Sequence, residues 1–263
     1  MPREHTTLLV DIGNTRLKWC ALADADGSAD AVNAIAPADH HFEEALRTGL
    51  RARAWQQVWI ANVGPPATLA RLRRLCSELL PDVQLQHAHS VAQCGDLRNG
   101  YDAPAQLGVD RFLALLGACE RWPGSRVMLV SIGSAVTVDL LERDGTHAGG
   151  LIAPSPAAMR KSLAGLATQL SVGEAPFTSV FARDTAAGIT SGCTWALTGL
   201  IEHCVRTAIS SGEPPVLVLS GGGAIELAQR LERESQVLPH LVLAGLAHYT
   251  RVHWTGANNA IDR

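Results

Sequence analysis

The alternation of apolar and polar positions divides the chain into strand-length and helix-length pieces separated by turn chemistry. Leu8-Leu9-Val10 runs into Asp11-Ile12-Gly13-Asn14-Thr15-Arg16, and apolar residues resume at Leu17-Lys18-Trp19. This predicts strand, tight polar turn, strand, with Gly13 and Asn14 suited to the left-handed backbone of a hairpin. Val127-Met128-Leu129-Val130-Ser131-Ile132-Gly133-Ser134-Ala135-Val136-Thr137-Val138-Asp139 repeats the design, so the chain reads as an internal duplication with one such unit opening each half. Val216 to Ser220, then Gly221-Gly222-Gly223, then a helical pattern from Ala224 to Glu234 predict a strand, a glycine turn and a helix.

Between the hairpins, Ala21 to Asp39 holds the last strand of a meander, and Phe42 to Ala54 carries apolar residues at helical spacing. Val58 to Val63 is a buried parallel strand ended by Gly64-Pro65-Pro66. A helix from Ala67 to Leu80 is stopped by Pro81, and Val83 to Ala88 is the next strand. Meander, helix, strand, helix, strand is the order of a ribonuclease H-like half. The segment Asn99 to Arg111 then leads into an apolar helix ending near Trp122-Pro123, with Asp110 and Arg111 in its first turns. The fold class expected is α/β, two duplicated ribonuclease H-like domains with mixed sheets flanked by helices, residues 1–118 and 119–263.

Composition narrows the chemistry. At 263 residues, 47% hydrophobic and 18% charged, the chain buries sizeable cores and is not a disordered segment. A net charge of -3 argues against a nucleic-acid surface, and Arg71, Arg73 and Arg74 read as one solvated helix face. Six cysteines, irregularly spaced and without C-x-x-C, read as reduced core thiols rather than a zinc ribbon or disulfide framework. No apolar run approaches the ~20 residues of a membrane span, and a strand begins within about eight residues of Met1, which predicts no signal peptide, no membrane and a cytoplasmic protein. Neither G-x-G-x-x-G nor G-x-x-x-x-G-K-[ST] occurs, which disfavours Rossmann and P-loop architectures, and the histidines show no zinc-ligand spacing.

A hairpin turn with outward N–H groups is an anion cradle. Asp11 at the strand end suits a hydrated divalent cation, and Thr15 and Lys18 supply a hydroxyl and a compact positive charge for phosphate oxygens. Lys18 is one of only two lysines, the other being Lys161, in a chain that otherwise uses arginine. Taken alone, the segment equally fits an ordinary polar hairpin, Asp110-Arg111 a surface pair on an amphipathic helix, and Asp139 a turn residue.

Together the two hairpins and the glycine turn resemble the nucleotide site of the acetate kinase, sugar kinase, Hsp70 and actin superfamily. Tyr101-x-x-Pro104-x-x-Leu107-Gly108-x-Asp110-Arg111 is more specific: it resembles the substrate motif of type III pantothenate kinases, the family that includes Bvg accessory factor proteins. Asp11-x-Gly13-Asn14-Thr15-x-x-Lys18 is similar to that family's first phosphate motif, Gly149-Gly150-Leu151-Ile152-x-Pro154 to its Gly-Gly-x-Ile-x-Pro turn, and Asp184-Thr185-x-x-Gly188-Ile189-x-Ser191-Gly192 to its Thr-x-x-Ala-Ile-x-Ser-Gly segment. The resemblance implies transfer of the ATP γ-phosphate to the primary alcohol of pantothenate, the first step towards coenzyme A. It implies an ATP cradle of Asp11, Ile12, Gly13, Asn14, Thr15, Arg16, Leu17 and Lys18, closed by Gly133 and Ser134, with Gly221 and Gly222 at the adenosine and Asp11 holding Mg2+ through water. It makes Asp110 the base and Tyr101, Gly108, Val109, Asp110, Arg111 and Thr185 the pantothenate pocket, which in the family lies at a homodimer interface. Cys119 and Trp122 are then candidates for that seam, because the helix after Asp110 has more apolar surface than one buried stripe requires.

One departure matters. Where the family has Asp-x-Gly-Thr, this chain has Ser131-Ile132-Gly133-Ser134, so the carboxylate expected to hold an activating K+ or NH4+ is replaced by a hydroxyl, a poorer ligand for a hard cation. Two other readings share parts of this pattern: another small-molecule kinase of the superfamily, and a transcriptional accessory protein on the same fold.

Overall fold

A computed structural model describes residues 4–25, 31–166 and 180–259. The chain forms two compact units, residues 1–124, 141–148 and 240–263 in the first and residues 125–140 and 149–239 in the second.

In the first unit, β1 (Thr7–Ile12), β2 (Leu17–Ala21) and β3 (Asn33–Ile35) form the expected meander. α1 (Phe42–Arg51), β4 (Gln57–Asn62), α2 (Pro66–Leu79) and β5 (Gln84–His87) follow, with β4 parallel to both β1 and β5. The sheet order is β3-β2-β1-β4-β5. A short hairpin, β6 (Gln93–Cys94) with β7 (Leu97–Arg98), precedes α3 (Val109–Arg121).

Side chains of β1 alternate between faces. Leu8, Val10 and Ile12 pack with Phe42, Leu46 and Leu50 of α1 and Leu72 and Leu75 of α2. Thr7, Leu9 and Asp11 therefore lie on the opposite face. All six residues of β1 are buried, because both faces are covered. Charged side chains tie α1 to α2: Arg74 of α2 bonds Glu43 at 2.6 Å, Arg47 of α1 bonds Glu78 through two 2.8 Å contacts, and the Arg71 guanidinium sits 4.0 Å over the Phe42 ring.

The second unit repeats the plan. β8 (Val127–Ile132), β9 (Ala135–Leu141) and β10 (His147–Pro154) are followed by α4 (Pro156–Leu166), α5 (Thr185–Ser210), β11 (Val216–Ser220), α6 (Ala224–Ala228) and β12 (Gln236–Val237), in the sheet order β10-β9-β8-β11-β12. Third, second, first, fourth, fifth is the same order as in the first unit, so the duplication read from the hairpins extends to whole sheets. Met128, Val130 and Ile132 pack against Leu197, Ile201 and Val205 of α5, leaving Ser131 on the other face. The C-terminal end of α5 is held by buried Arg126, which donates to the carbonyls of Ala208 (2.5 Å) and Glu213 (3.0 Å) and to Ser211 Oγ (3.0 Å).

Four expectations are corrected. A single boundary at residue 118 would cut α3, and the last helix, α7 (Leu241–Asn259), belongs to the first unit because it packs along α3. That packing also removes the apolar excess that suggested a seam at Cys119 and Trp122: Arg111 to Ala118 are all buried within the chain. The crossing is close, since a Cβ on Gly245 would overlap the Leu113 carbonyl oxygen. Gly149 to Pro154 is part of strand β10 rather than a turn. α6 stops at Ala228 rather than Glu234, because the chain must return to pair β12 with β11 in parallel register, Leu219 opposite Val237. α4, α5, β12 and α7 were not anticipated as elements.

Candidate active site

The first hairpin supplies the charged centre of the first unit. Its turn is closed by the Gly13 N–H donating to the Arg16 carbonyl at 3.0 Å, and Asn14, Thr15 and Arg16 are exposed at the tip. The antiparallel register puts Asp11 directly opposite Lys18 and Ile12 opposite Leu17. Directly opposed residues share a face, so the carboxylate and the ammonium both lie on the α3 and α7 side of the sheet.

Asp11 is buried, 7% exposed, and its carboxyl is pushed up from the ordinary 3.8 to about 6. Loss of hydration is the main cause, the positive charge of Lys18 pulls the other way, and the negative charge of Asp110 adds to the rise. Two carboxylates and one ammonium thus share a field within this unit.

Asp110 reaches that field because α3 begins where it does. Gly108 caps the helix and accepts the Phe112 N–H at 2.9 Å. The Asp110 Oδ1 accepts the Arg111 N–H at 2.9 Å and lies where a side chain on residue 108 would go: a Cβ there would come within 2.7 Å of it. A larger residue at 108 would therefore push the Asp110 carboxylate out of this position.

Arg111 is buried, and its Nη1 donates to the Tyr101 hydroxyl at 2.8 Å. The Tyr101 ring stacks on His147 at a centroid distance of 5.7 Å and an interplanar angle of 17°. Asn99 ties this loop together, donating to the Val91 and Pro104 carbonyls at 3.2 and 3.0 Å and accepting the Tyr101 N–H at 3.1 Å. Sequence reasoning missed His147 and Asn99. His147 lies far along the chain on a strand not anticipated, whereas Asn99-Gly100 carried a turn signal that was legible. Beside Gly108 and Val109 a cleft of about 380 Å³ opens, bordered by the ends of β4 and β5.

In the second unit, Gly133 and Ser134 form the exposed turn between β8 and β9, closed by the Gly133 N–H donating to the Ala135 carbonyl at 2.9 Å. Ser131 stands opposite buried Ser220 in the β8–β11 register. Asp139 is 1% exposed, within β9. Gly221 has a φ of +87°, and a Cβ there would overlap the Ile132 carbonyl, so backbone geometry demands glycine. Gly222 faces open space. Thr185 is the first residue of α5, exposed, behind Asp184, whose Oδ1 accepts the Ala187 N–H at 2.9 Å as an N-cap.

Two units of ribonuclease H-like order, each with a strand-turn-strand hairpin at its first strand, define the actin-like ATPase fold class to which sugar kinases belong. A family model described as Type III pantothenate kinase matches residues 7–207. A protein named type III pantothenate kinase from Laribacter hongkongensis is 36% identical over 250 residues, covering 93% of this chain and 98% of its own. One of the same name from Paraburkholderia xenovorans is 34% identical over 259 residues, covering 91% and 93%. Among solved structures, a protein described as a Baf family transcriptional activator from Campylobacter jejuni superposes with a TM-score of 0.60 at 19% identity, covering 95% of this chain and 99% of that one. A 2-dehydro-3-deoxygalactonokinase protein from Sinorhizobium meliloti gives 0.56 at 16% identity, covering 94% and 99%. The two structures share the fold. The chain belongs to the type III pantothenate kinase family.

The raised carboxyl of Asp11 has a measurable consequence. Between 3.8 and about 6 the folded protein holds a proton on Asp11 that the unfolded chain has released, so this group favours folding most at low pH. That contribution fades as pH rises through about 6. Asp11→Asn removes the buried charge and is expected to melt several degrees above wild type at pH 8, for a gain of up to about 3 kcal/mol, with the difference shrinking towards pH 4. Thermal melts across that range check it; an Asn variant less stable than wild type at pH 8 contradicts the assignment.

Proposed function

We propose that this protein transfers the γ-phosphate of ATP to the primary hydroxyl of pantothenate. The observation that carries the reading is the convergence, in one unit, of Asp11, Lys18 and Asp110, with Asp110 raising the carboxyl of Asp11 and Lys18 lowering it. Phosphoryl transfer asks for alignment and charge neutralisation more than covalent chemistry.

The hairpin from Asp11 to Lys18 cradles ATP phosphates with its outward N–H groups and the Thr15 hydroxyl, and Lys18 meets the negative charge of the transferring group. Gly133 and Ser134 serve the phosphates from the second unit, and Gly221 and Gly222 the adenosine. The donor chemistry fits magnesium: a buried carboxylate short of counter-charge suits a hard cation that keeps most of its waters. When bound, that ion neutralises phosphate charge. Asp110 accepts the proton of the pantothenate hydroxyl as the new O–P bond forms, and the γ-phosphate leaves ADP. Arg111, already bonded to Tyr101, fixes the pocket wall, with Gly108 and Val109 beside it. Thr185 completes the pocket. All six cysteines are free thiols, which suits the reducing cytoplasm.

The working form is a homodimer. The second unit exposes Phe181 by 89% and Ile152 by 65%, with Trp195 partly exposed close to Thr185 in the chain, whereas α3 is already covered. Exposed aromatic and aliphatic groups of this size mark contact surfaces. Light scattering is expected to give twice the chain mass for wild type at micromolar concentration and one chain mass for Phe181→Glu. An active wild-type monomer contradicts this.

Asp110→Asn is expected to fold as wild type and lose about 10²–10⁴ in rate, the usual value of a positioned base. A coupled ATP-consumption assay with pantothenate, other alcohols and no acceptor checks both this and the substrate. Turnover of the variant near wild type sinks Asp110 as the base, and ATP consumption indifferent to pantothenate sinks the substrate.

Ser131 offers a hydroxyl where the family has a carboxylate, so dehydration of a monovalent cation is poorly compensated there. Initial rates against potassium chloride, with choline chloride holding ionic strength, are expected to rise weakly or not at all. Strong activation saturating at low potassium would show that the hydroxyl suffices.

A further inference from the structure

The cleft beside Gly108 has a polar wall that none of the roles above uses. Its lining includes Asn62 at the end of β4 and His87, His89 and Ser90 at and beyond the end of β5. The hydrogen-bonding state of three of these groups follows from their surroundings.

His87 Nε2 lies 3.0 Å from Arg73 Nη2. A guanidinium has only donors, so Nε2 must accept and the ring proton must sit on Nδ1. Burial, Arg73 and His89 all lower the pKa of His87, which keeps the ring in that neutral form. His87 is thus a fixed N–H donor with a permanent positive charge behind it. Ser90 Oγ is buried and has no hydrogen-bond partner among the described residues, an arrangement that a ligand or water would complete. Asn62 uses its Oδ1 to accept the Gly64 N–H at 3.1 Å, so its NH2 is what remains to offer. Three donors therefore line the wall, and no Asp or Glu is among the residues around the cleft. Such a wall selects an anionic group with several lone pairs.

We infer that this wall is the specificity site for the carboxylate of pantothenate, with His87, Ser90 and Asn62 as its donors and Arg73 as the positioning residue that fixes the His87 tautomer. The inference rests on the proposed reaction and deepens it. Pantothenate carries its primary hydroxyl at one end and its carboxylate at the other. The same cleft of about 380 Å³ is lined by Gly108 and Val109, which adjoin Asp110 in the chain, and by the donors. A substrate with its hydroxyl at Asp110 then presents its other end to them.

The test compares pantothenate with its neutral alcohol analogue, in which CH2OH replaces the carboxylate, as acceptors for wild type, Ser90→Ala, His87→Ala and His87→Gln. Wild type is expected to favour the acid in kcat/KM. Ser90→Ala and His87→Ala are each expected to lower that preference about tenfold, the value of one hydrogen bond to a charged group. The change should appear in KM for the acid and not in KM for ATP, which separates the carboxylate from a phosphate of the nucleotide as the group bound. His87→Gln, which keeps an N–H donor, should recover most of the preference. Ser90→Ala deletes one oxygen and is read independently should a His87 variant fail to fold. A wild-type enzyme that phosphorylates acid and alcohol equally, or variants in which both acceptors fall together, overturns the inference and leaves the kinase reading intact. A wild-type enzyme that phosphorylates neither overturns both.

Discussion

The constraint on which this structure turns is the burial of one carboxylate opposite one ammonium. Asp11 sits in a strand covered on both faces, and Lys18 stands opposite it across the hairpin. Lys18 does not restore the ordinary carboxyl, because hydration lost by burial outweighs it and Asp110 adds a second negative charge. An apolar residue at position 11 would make the same strand easier to bury, so the carboxylate costs the fold stability at neutral pH.

The scaffold that keeps Asp110 in that field is the pairing of α3 with α7. α3 is buried on every side from Arg111 to Ala118, which leaves no freedom for its first turn to drift. The α7 side of that contact comes from the end of the chain. Tyr249 of α7 stands edge-on to Phe112 at 6.4 Å and to Trp59 of β4 at 5.9 Å, so the same helix that clamps α3 also touches the face of the sheet that carries Asp11. The helix that carries Asp110 and the sheet that carries Asp11 are thus referenced to one element.

Much of this was legible before any coordinates. Apolar patterning and turn residues located both hairpins, α2, β4 and β5 within a residue or two, whereas α1 ends at Arg51 rather than Ala54 and the last meander strand was placed only within Ala21 to Asp39. Asp110 and Arg111 fell at the start of α3 as read. What was not legible depended on tertiary partners. The apolar excess of α3 looked like an intermolecular surface because nothing local says that a helix some 120 residues later covers it. His147 reaches Tyr101 only through the return of β10, and Arg73 reaches His87 only because α2 lies against the start of β5's exit. The proposal that Arg111 contacts substrate directly also looks different once its Nη1 is seen bonded to Tyr101: its first task is to fix that ring.

The duplication itself explains why the two halves carry unequal chemistry. β1 reads Thr-Leu-Leu-Val-Asp-Ile and β8 reads Val-Met-Leu-Val-Ser-Ile, both six residues long with the polar group fifth. Asp11 and Ser131 are therefore equivalent positions of two copies of one design. The first copy kept the charge and acquired Lys18 opposite it; the second holds a hydroxyl, and its neighbour across the parallel pair is a buried Ser220 rather than an ion. Both hairpins are closed by the N–H of the turn glycine, Gly13 to the Arg16 carbonyl three residues on and Gly133 to the Ala135 carbonyl two residues on, so the second turn is one residue tighter. A backbone cradle binds phosphate without ionisable side chains, whereas metal and proton chemistry need a carboxylate. At the position equivalent to Asp11 the second unit therefore offers a hydroxyl, and the carboxylate of its hairpin, Asp139, stands further along β9, buried.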